Sequence, residues 1–324
     1  MAPSKKNVSI KLLEVNNELG AGTRGASLGI DALKIAALDF GSPFFKRYKS
    51  TKVNTDNTLL LERVTTPFAK RIKGLYSVFV NVTSEVVKLI NEKGTFPIIL
   101  AGDHSTAAAS IAGIKMADPS KRLGVVWIDA HADIHSPYTT PSGNVHGMPI
   151  AIALSEDNLE KQVNQPNEES QEYWRKVKLL GGNSANIKPE DLIYVGVRDV
   201  EEQEKYLMDK YKIKNFTVAE VRRKGIDKTV NEIFSQLLDC DWIYISFDVD
   251  SMDPKVSQGT GTPVPGGFNE REAGRLLSLL VANQKVCCLE VVEINPTLDK
   301  ENAMAENAFE ILSKVTNQID QREN

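Results

Sequence analysis

The stretch Leu123-Gly124-Val125-Val126-Trp127-Ile128-Asp129-Ala130-His131-Ala132-Asp133-Ile134-His135 decides how the chain is read. A continuous apolar run gives way to Asp, His and Asp at every second position. A short apolar run of this kind suits a strand buried on both faces, as parallel sheets require. Period-two spacing then sends Asp129, His131 and Asp133 to one side of an extended backbone at the strand's end. A carboxylate, imidazole, carboxylate set suits a borderline-hard divalent ion, with manganese a natural candidate. Alone, the triplet is equally a polar loop after a buried strand, so the rest of the chain decides.

Comparable strands lie on both sides of it. Upstream are residues 8–15 and 96–101; downstream are 191–197, 216–221, 242–247 and 286–292. Helical patterns stand between them, at 27–38, 69–93, 106–116, 146–154, from the acidic run at Glu201, and at 227–238, 269–281 and 303–316. The helix at 69–93 carries Ile72, Leu75, Phe79, Val82, Val86 and Ile90 at steps of three and four, a face for the core, and Gly94 closes it. Residues 41–66 read as loop with room for one short strand. Residues 155–187 read as a polar surface excursion with a short helix at 169–177. Strands alternating with helices predict a three-layer α/β fold, a parallel sheet flanked by helices. No repeat, low-complexity tract or linker interrupts the pattern, so residues 1–324 read as one domain.

The 41% hydrophobic and 25% charged composition is ordinary for a globular chain. A net charge of −4 argues against nucleic acid or an anionic membrane as the main partner. No run reaches the ~18 apolar residues of a membrane span, and residues 1–7 lack the apolar segment of a leader. Three cysteines without CxxC spacing, Cys240, Cys287 and Cys288, predict reduced thiols and a cytoplasmic location. Gly20-Ala21-Gly22-Thr23-Arg24-Gly25 spells GxGxxG, but Asn16 to Leu19 separate it from the strand. No acid stands about twenty residues on, so this is a glycine loop rather than a dinucleotide site.

His104, the Asp129/His131/Asp133 triplet, Asp248/Asp250 and Glu293 each follow directly on a predicted strand. The carboxyl-end rim is where open α/β sheets bind ligands. All four histidines, His104, His131, His135 and His146, fall in these loops. Two imidazoles and four carboxylates exceed a tetrahedral zinc site and include no thiolate. They suit two ions sharing carboxylates, about 3.5–4 Å apart. Asp248-x-Asp250 resembles an EF-hand start, but Met252, Pro254 and the missing Glu exclude that, and Asp253-Pro254 initiates a turn. A two-ion site holds hydroxide at neutral pH, which attacks an sp² carbon. His146 is a candidate proton shuttle, with a further ligand or a turn residue as the alternatives. Glu293 is a spare carboxylate suited to a planar guanidinium, or else an ordinary surface acid.

These residues resemble the ureohydrolase (arginase/agmatinase) family, from about Phe96 to the last helix. Gly102-Asp103-His104-Ser105, Asp129-Ala130-His131-Ala132-Asp133 and Ser246-Phe247-Asp248-Val249-Asp250-Ser251-Met252-Asp253-Pro254 match family-wide motifs. Gly259 to Pro263, Thr140 to Gly147 and Glu293 to Thr297 resemble the arginase branch rather than agmatinase. The resemblance implies a central parallel sheet of about eight strands and two Mn²⁺ ions, with Co²⁺ or Fe²⁺ as substitutes. His104 and Asp133 would belong to one ion, His131 and Asp250 to the other, with Asp129 and Asp248 bridging. It implies cleavage of L-arginine to L-ornithine and urea by a bridging hydroxide oriented by Asp133. Glu293 would hold the guanidinium, with Thr262 nearby, and His146 would shuttle protons. Thr140, Ser142 and Asn144 would hold the α-carboxylate, and Glu201 and Glu204 would face the α-amino group. It also implies a homo-oligomer, trimeric or hexameric.

Two positions depart from the pattern. His135 stands where an Asn that contacts the α-carboxylate is usual, and Glu201 where an Asp is usual. Both lie at the amino-acid end of the substrate, not at the ions. The competing readings are a hydrolase of agmatine or another guanidino compound, a non-catalytic protein of this fold, and a metal-dependent deacetylase. The doubled DxHxD and DxD set speaks against the last.

Overall fold

The computed structural model describes residues 8–322. The reading of residues 1–7 lies outside these, as do the last two residues of the polar tail. In chain order the elements are β1 Ser9–Val15, α1 Gly29–Asp39, α2 Phe44–Arg47, β2 Ser50–Lys52, α3 Ile72–Asn91, β3 Thr95–Ala101, α4 Thr106–Ala117 and β4 Leu123–Ile128. Then follow α5 Pro149–Leu154, α6 Glu168–Lys178, β5 Leu192–Val195, α7 Glu202–Tyr211, β6 Lys214–Phe216, α8 Val218–Lys224 and α9 Ile226–Gln236. The chain closes with β7 Trp242–Asp248, α10 Glu270–Val281, β8 Val286–Val292 and α11 Ala303–Asp320.

The eight strands form one sheet in the order β2-β1-β3-β8-β7-β4-β5-β6. Every pairing is parallel. The apolar runs explain the layering. Alternate residues of the central strands feed opposite cores. Ile98, Leu100, Val126 and Ile128 join α1, α8, α9, α10 and α11 on one face. Ile99, Ala101, Val125 and Trp127 join α3 to α7 on the other. The expected α/β three-layer architecture is therefore present.

Register places the site. Ile128 pairs with Phe247, Asp248 with Val292, and Leu100 with Val291. The four central strands therefore end level, and the residues after them share one rim.

Several local expectations need correction. Residues 216–221 are not a strand: β6 stops at Phe216, and Thr217 caps α8 by accepting the Glu220 N–H. The helix expected from residue 69 starts at Ile72, because Arg71 takes a left-handed backbone, φ 58°. The helix expected from His146 divides into a 3-10 turn, Val145–Gly147, and α5, whose first residue is Pro149. α2, inside the expected loop 41–66, packs Phe44 against Tyr48 and Phe309. The excursion at 155–187 is anchored to the core through Trp174 and Val177 of α6.

Candidate metal centre and cleft

β3 delivers Gly102-Asp103-His104. A Cβ on Gly102 would collide with the Asn17 carbonyl oxygen, so only glycine fits there. Asp103 accepts from Asn17 Nδ2 at 3.0 Å and from Gly20 N at 2.9 Å. The Gly20 carbonyl in turn accepts the His146 N–H at 3.1 Å. The glycine loop thus fastens His146 to the rim, and its Gly20, Ala21 and Gly25 amides are already taken by Asp103 and by the carbonyl and carboxylate of Glu18. Burial pushes the Asp103 carboxyl up to about 6.

The six candidate ligands come together in two groups. His104 Nδ1 lies 3.0 Å from Asp129, 3.1 Å from Asp133 and 3.2 Å from Asp248. His131 Nδ1 lies 3.0 Å from Asp250 and 3.5 Å from Asp129. Asp129 belongs to both groups. Among the described residues, His104 Nδ1 and Asp129 Oδ2 have no hydrogen-bond partner although both are buried. They are close but not aligned as donor and acceptor. Buried polar atoms are rarely left so, and atoms converging from several sides on a common point fit a cation. On that observation the residues fit a divalent pair.

The surroundings hold the ligands in place. His104 Nε2 meets Ser246 Oγ at 2.7 Å, and its ring stacks on Trp127 at 4.0 Å between centroids. Asp248 accepts from Asp250 N, Asp250 from Ala130 N, and Asp129 from His131 N. Asp133 and Glu293 both hold left-handed backbones, φ 50° and 66°. That conformation is strained for a non-glycine residue and recurs at functional sites.

Electrostatics points the same way. Burial, then Asp129, lifts the Asp133 carboxyl to about 6. Burial and neighbouring aspartates raise Asp248 and Asp250 too. Burial opposes charge on His104 and His131, but the aspartates around them prevail and raise both. Without cations the cluster therefore competes for protons, as crowded buried carboxylates do.

Above the ligands opens a cleft of about 390 Å³ lined by His131, Asp133, His135, Thr140, Ser142, Asn144, His146, Glu201, Glu204, Asp248, Asp250 and Thr262. Glu293 adjoins from β8: its Oε1 accepts the His104 N–H at 2.8 Å and meets His146 Nδ1 at 3.3 Å. Burial opposes charge on His146, yet Glu293 lifts it to about 9. Thr140 and Ser142 accept the N–H groups of Gly143 and Asn144. Thr262 Oγ1 bonds Asp250 at 3.1 Å. His135 is committed between Thr139 Oγ1, at 3.1 Å, and Glu201, at 3.2 Å. The His135 bond holds Glu201 at about 2, while burial and Glu201 push buried Glu204 well up.

Three contributors were not singled out from the sequence. Ser246 lies two residues before Asp248, on the same side of β7, so its spacing was a usable signal. Trp127 reads only as core. Lys70 Nζ donates to Asn144 Oδ1 at 3.0 Å across a separation of 74 residues, which no local pattern encodes.

The model of the Arginase family matches residues 9–316. An arginase of Bacillus subtilis (strain 168) is 31% identical over 312 residues, covering 95% of this chain and 97% of the relative. The crystal structure of Entamoeba histolytica arginase in complex with L-ornithine superposes with a TM-score of 0.82 at 26% identity, covering 96% of this chain and 99% of that one. Bacillus caldovelox arginase superposes with a TM-score of 0.80 at 30% identity, covering 95% and 98%.

Proposed function

The chain belongs to the arginase family, and from that premise we propose that it hydrolyses L-arginine to L-ornithine and urea. The observation that carries the reading is the pair of buried, unpartnered atoms, His104 Nδ1 and Asp129 Oδ2, between two histidine–carboxylate groups. His104 and Asp133 would hold one ion, His131 and Asp250 the other, and Asp129 and Asp248 both. Manganese is the ion proposed, with cobalt or iron accepting the same donors. Two such ions, when bound, supply Lewis acidity and a water ionised at neutral pH.

The chain's own residues do the rest. Glu293 Oε1 is engaged by His104 N and His146, which leaves Oε2 to accept the guanidinium N–H. Asp133 orients the attacking water. The Glu293 carboxylate, 3.3 Å from His146 Nδ1, favours the protonated form of the ring, and the His146 side chain is partly open to solvent. It therefore relays a proton from bulk to the leaving amine. Asn144, Ser142 and Thr140 recognise the α-carboxylate, Glu201 and Glu204 the α-ammonium. Thr262 borders the guanidinium, and His135 acts on the substrate through Glu201.

We read the enzyme as one domain, cytoplasmic, and a trimeric or hexameric homo-oligomer. All three cysteines are free, in keeping with a reducing compartment. No described helix is long and apolar enough to cross a membrane. Agmatine is the rival substrate, but it lacks the carboxylate that Ser142 and Asn144 address. The test is urea release from L-arginine and from agmatine with added manganese. Faster turnover of arginine is expected. Preference for agmatine overturns the substrate, and urea from neither, with metal bound, favours a non-catalytic protein.

A further inference from the structure

At the outer end of the cleft three side chains converge that are not among the six inner candidate ligands: His135 after β4, and Glu201 and Glu204 at the start of α7. His135 Nε2 lies 3.2 Å from Glu201 Oε2 and 3.8 Å from Glu204 Oε2. The second separation is too long for a hydrogen bond. Zinc bonds of about 2.0–2.1 Å at tetrahedral angles set their ligand atoms about 3.3 Å apart. The His135–Glu201 distance matches the edge of such a polyhedron, and the His135–Glu204 distance exceeds it by about 0.5 Å.

The supporting contacts are also in place. His135 Nδ1 lies 3.1 Å from Thr139 Oγ1, which fixes the ring with Nε2 toward the acids. Metal-binding histidines are commonly oriented this way, by a bond to the other ring nitrogen. Glu204 accepts from Ile134 N at 3.3 Å and from Glu201 N at 3.2 Å. His135 is 5% exposed and Glu204 3%, whereas the Glu201 side chain is 55% exposed. Two donors are thus preset and the third closes from the solvent side.

We infer that His135, Glu201 and Glu204 form a third divalent-cation site, suited to zinc-class ions, whose occupant excludes the substrate's α-ammonium. Its donors are one imidazole and two carboxylates with a fourth position left to water, the composition of an open zinc site. None of the three belongs to the inner six ligands. The exclusion rests on the arginine reading above: carboxylates that coordinate a cation cannot also receive an ammonium. The site exists because of the two positions that depart from the family pattern. An Asn at 135 offers no imidazole nitrogen, and an Asp at 201 withdraws its carboxylate by one methylene.

The test uses protein loaded with two manganese ions per chain. Zinc is titrated by equilibrium dialysis with both metals counted, and cobalt serves as a second probe through its visible absorption. A third equivalent per chain is expected, with manganese retained. His135→Asn and Glu204→Gln should each weaken it at least about a hundredfold, the upper range for loss of a mere outer-shell contact. Their manganese content and circular dichroism report that they are folded. L-Ornithine, first shown by calorimetry to bind the manganese protein, should weaken the third equivalent. Zinc that only replaces manganese, or a third equivalent that survives both substitutions, overturns the site. Bound ornithine that leaves zinc affinity unchanged overturns the exclusion. Failure of ornithine to bind counts against the substrate reading and leaves the metal count to decide the site.

Discussion

Replacing Ser246 by Ala removes one oxygen from behind the candidate metal centre and should lower its metal affinity. His104 is 1% exposed, and its Nδ1 faces three aspartates. With Nδ1 as the ligand atom, the ring proton sits on Nε2, and its partner is Ser246 Oγ at 2.7 Å. Alanine leaves that N–H buried and unpaired, which costs about 1–3 kcal/mol. The ring itself stays stacked on Trp127, so the ligand is kept but less well oriented. Loss of such an outer contact lowers metal affinity about 10–100-fold, or about 1.4–2.8 kcal/mol at 1.4 kcal/mol per tenfold. The assay is competition for manganese against a chelator of known affinity, resolving the two sites. One site should weaken within that range while the other changes little. Affinity within twofold of wild type at both sites refutes the assigned ring orientation.

Three further outcomes follow from the same geometry. Chelation should lower the melting temperature and make it depend on metal concentration, since an ion at a thousandfold above its dissociation constant adds about 4 kcal/mol; a melt indifferent to chelator counts against the centre. In chelated protein, His146 is raised to about 9, so its protonation stabilises the fold fully below its unfolded pKa of about 6.5 and progressively less as pH rises through about 9. The melting difference between wild type and His146→Asn should therefore shrink over that window, from at most about 3 kcal/mol; a difference that grows with pH contradicts the assignment. Asn144→Ala should raise KM for L-arginine several-fold and leave KM for agmatine unchanged; equal rises would show that Asn144 does not read the carboxylate.

The candidate site residues were legible in the sequence because the fold converts strand ends into spatial neighbours. Asp129, His131 and Asp133 needed only period two, and His104, Asp248, Asp250 and Glu293 needed only the rule that ligands gather at one rim. What escaped depended on distant pairings or single caps. Thr217 could close a strand or open a helix, and its bond to the Glu220 N–H decided for α8. Arg71 carries no signal for its left-handed backbone, so α3 starts at Ile72 and not at the expected residue 69. His135 was readable as an anomaly. Its commitment to Glu201 needed the 66-residue separation to be closed by β4 and α7.

The strand order has a consequence for synthesis. β3 and β4 are made early, but β8 and β7 lie between them and are made last. Until residues 242–292 leave the ribosome, the facing edges of β3 and β4 have no partner, and His104 is not yet joined to Asp129 across the sheet. The final strands then enter the middle of a sheet instead of extending its margin, bringing Asp248 and Asp250 with them. Long-range parallel pairing of this kind is slow and leaves strand edges open in the interval. A nascent chain halted before residue 242 therefore lacks the middle of its sheet and two of the six candidate ligands, Asp248 and Asp250.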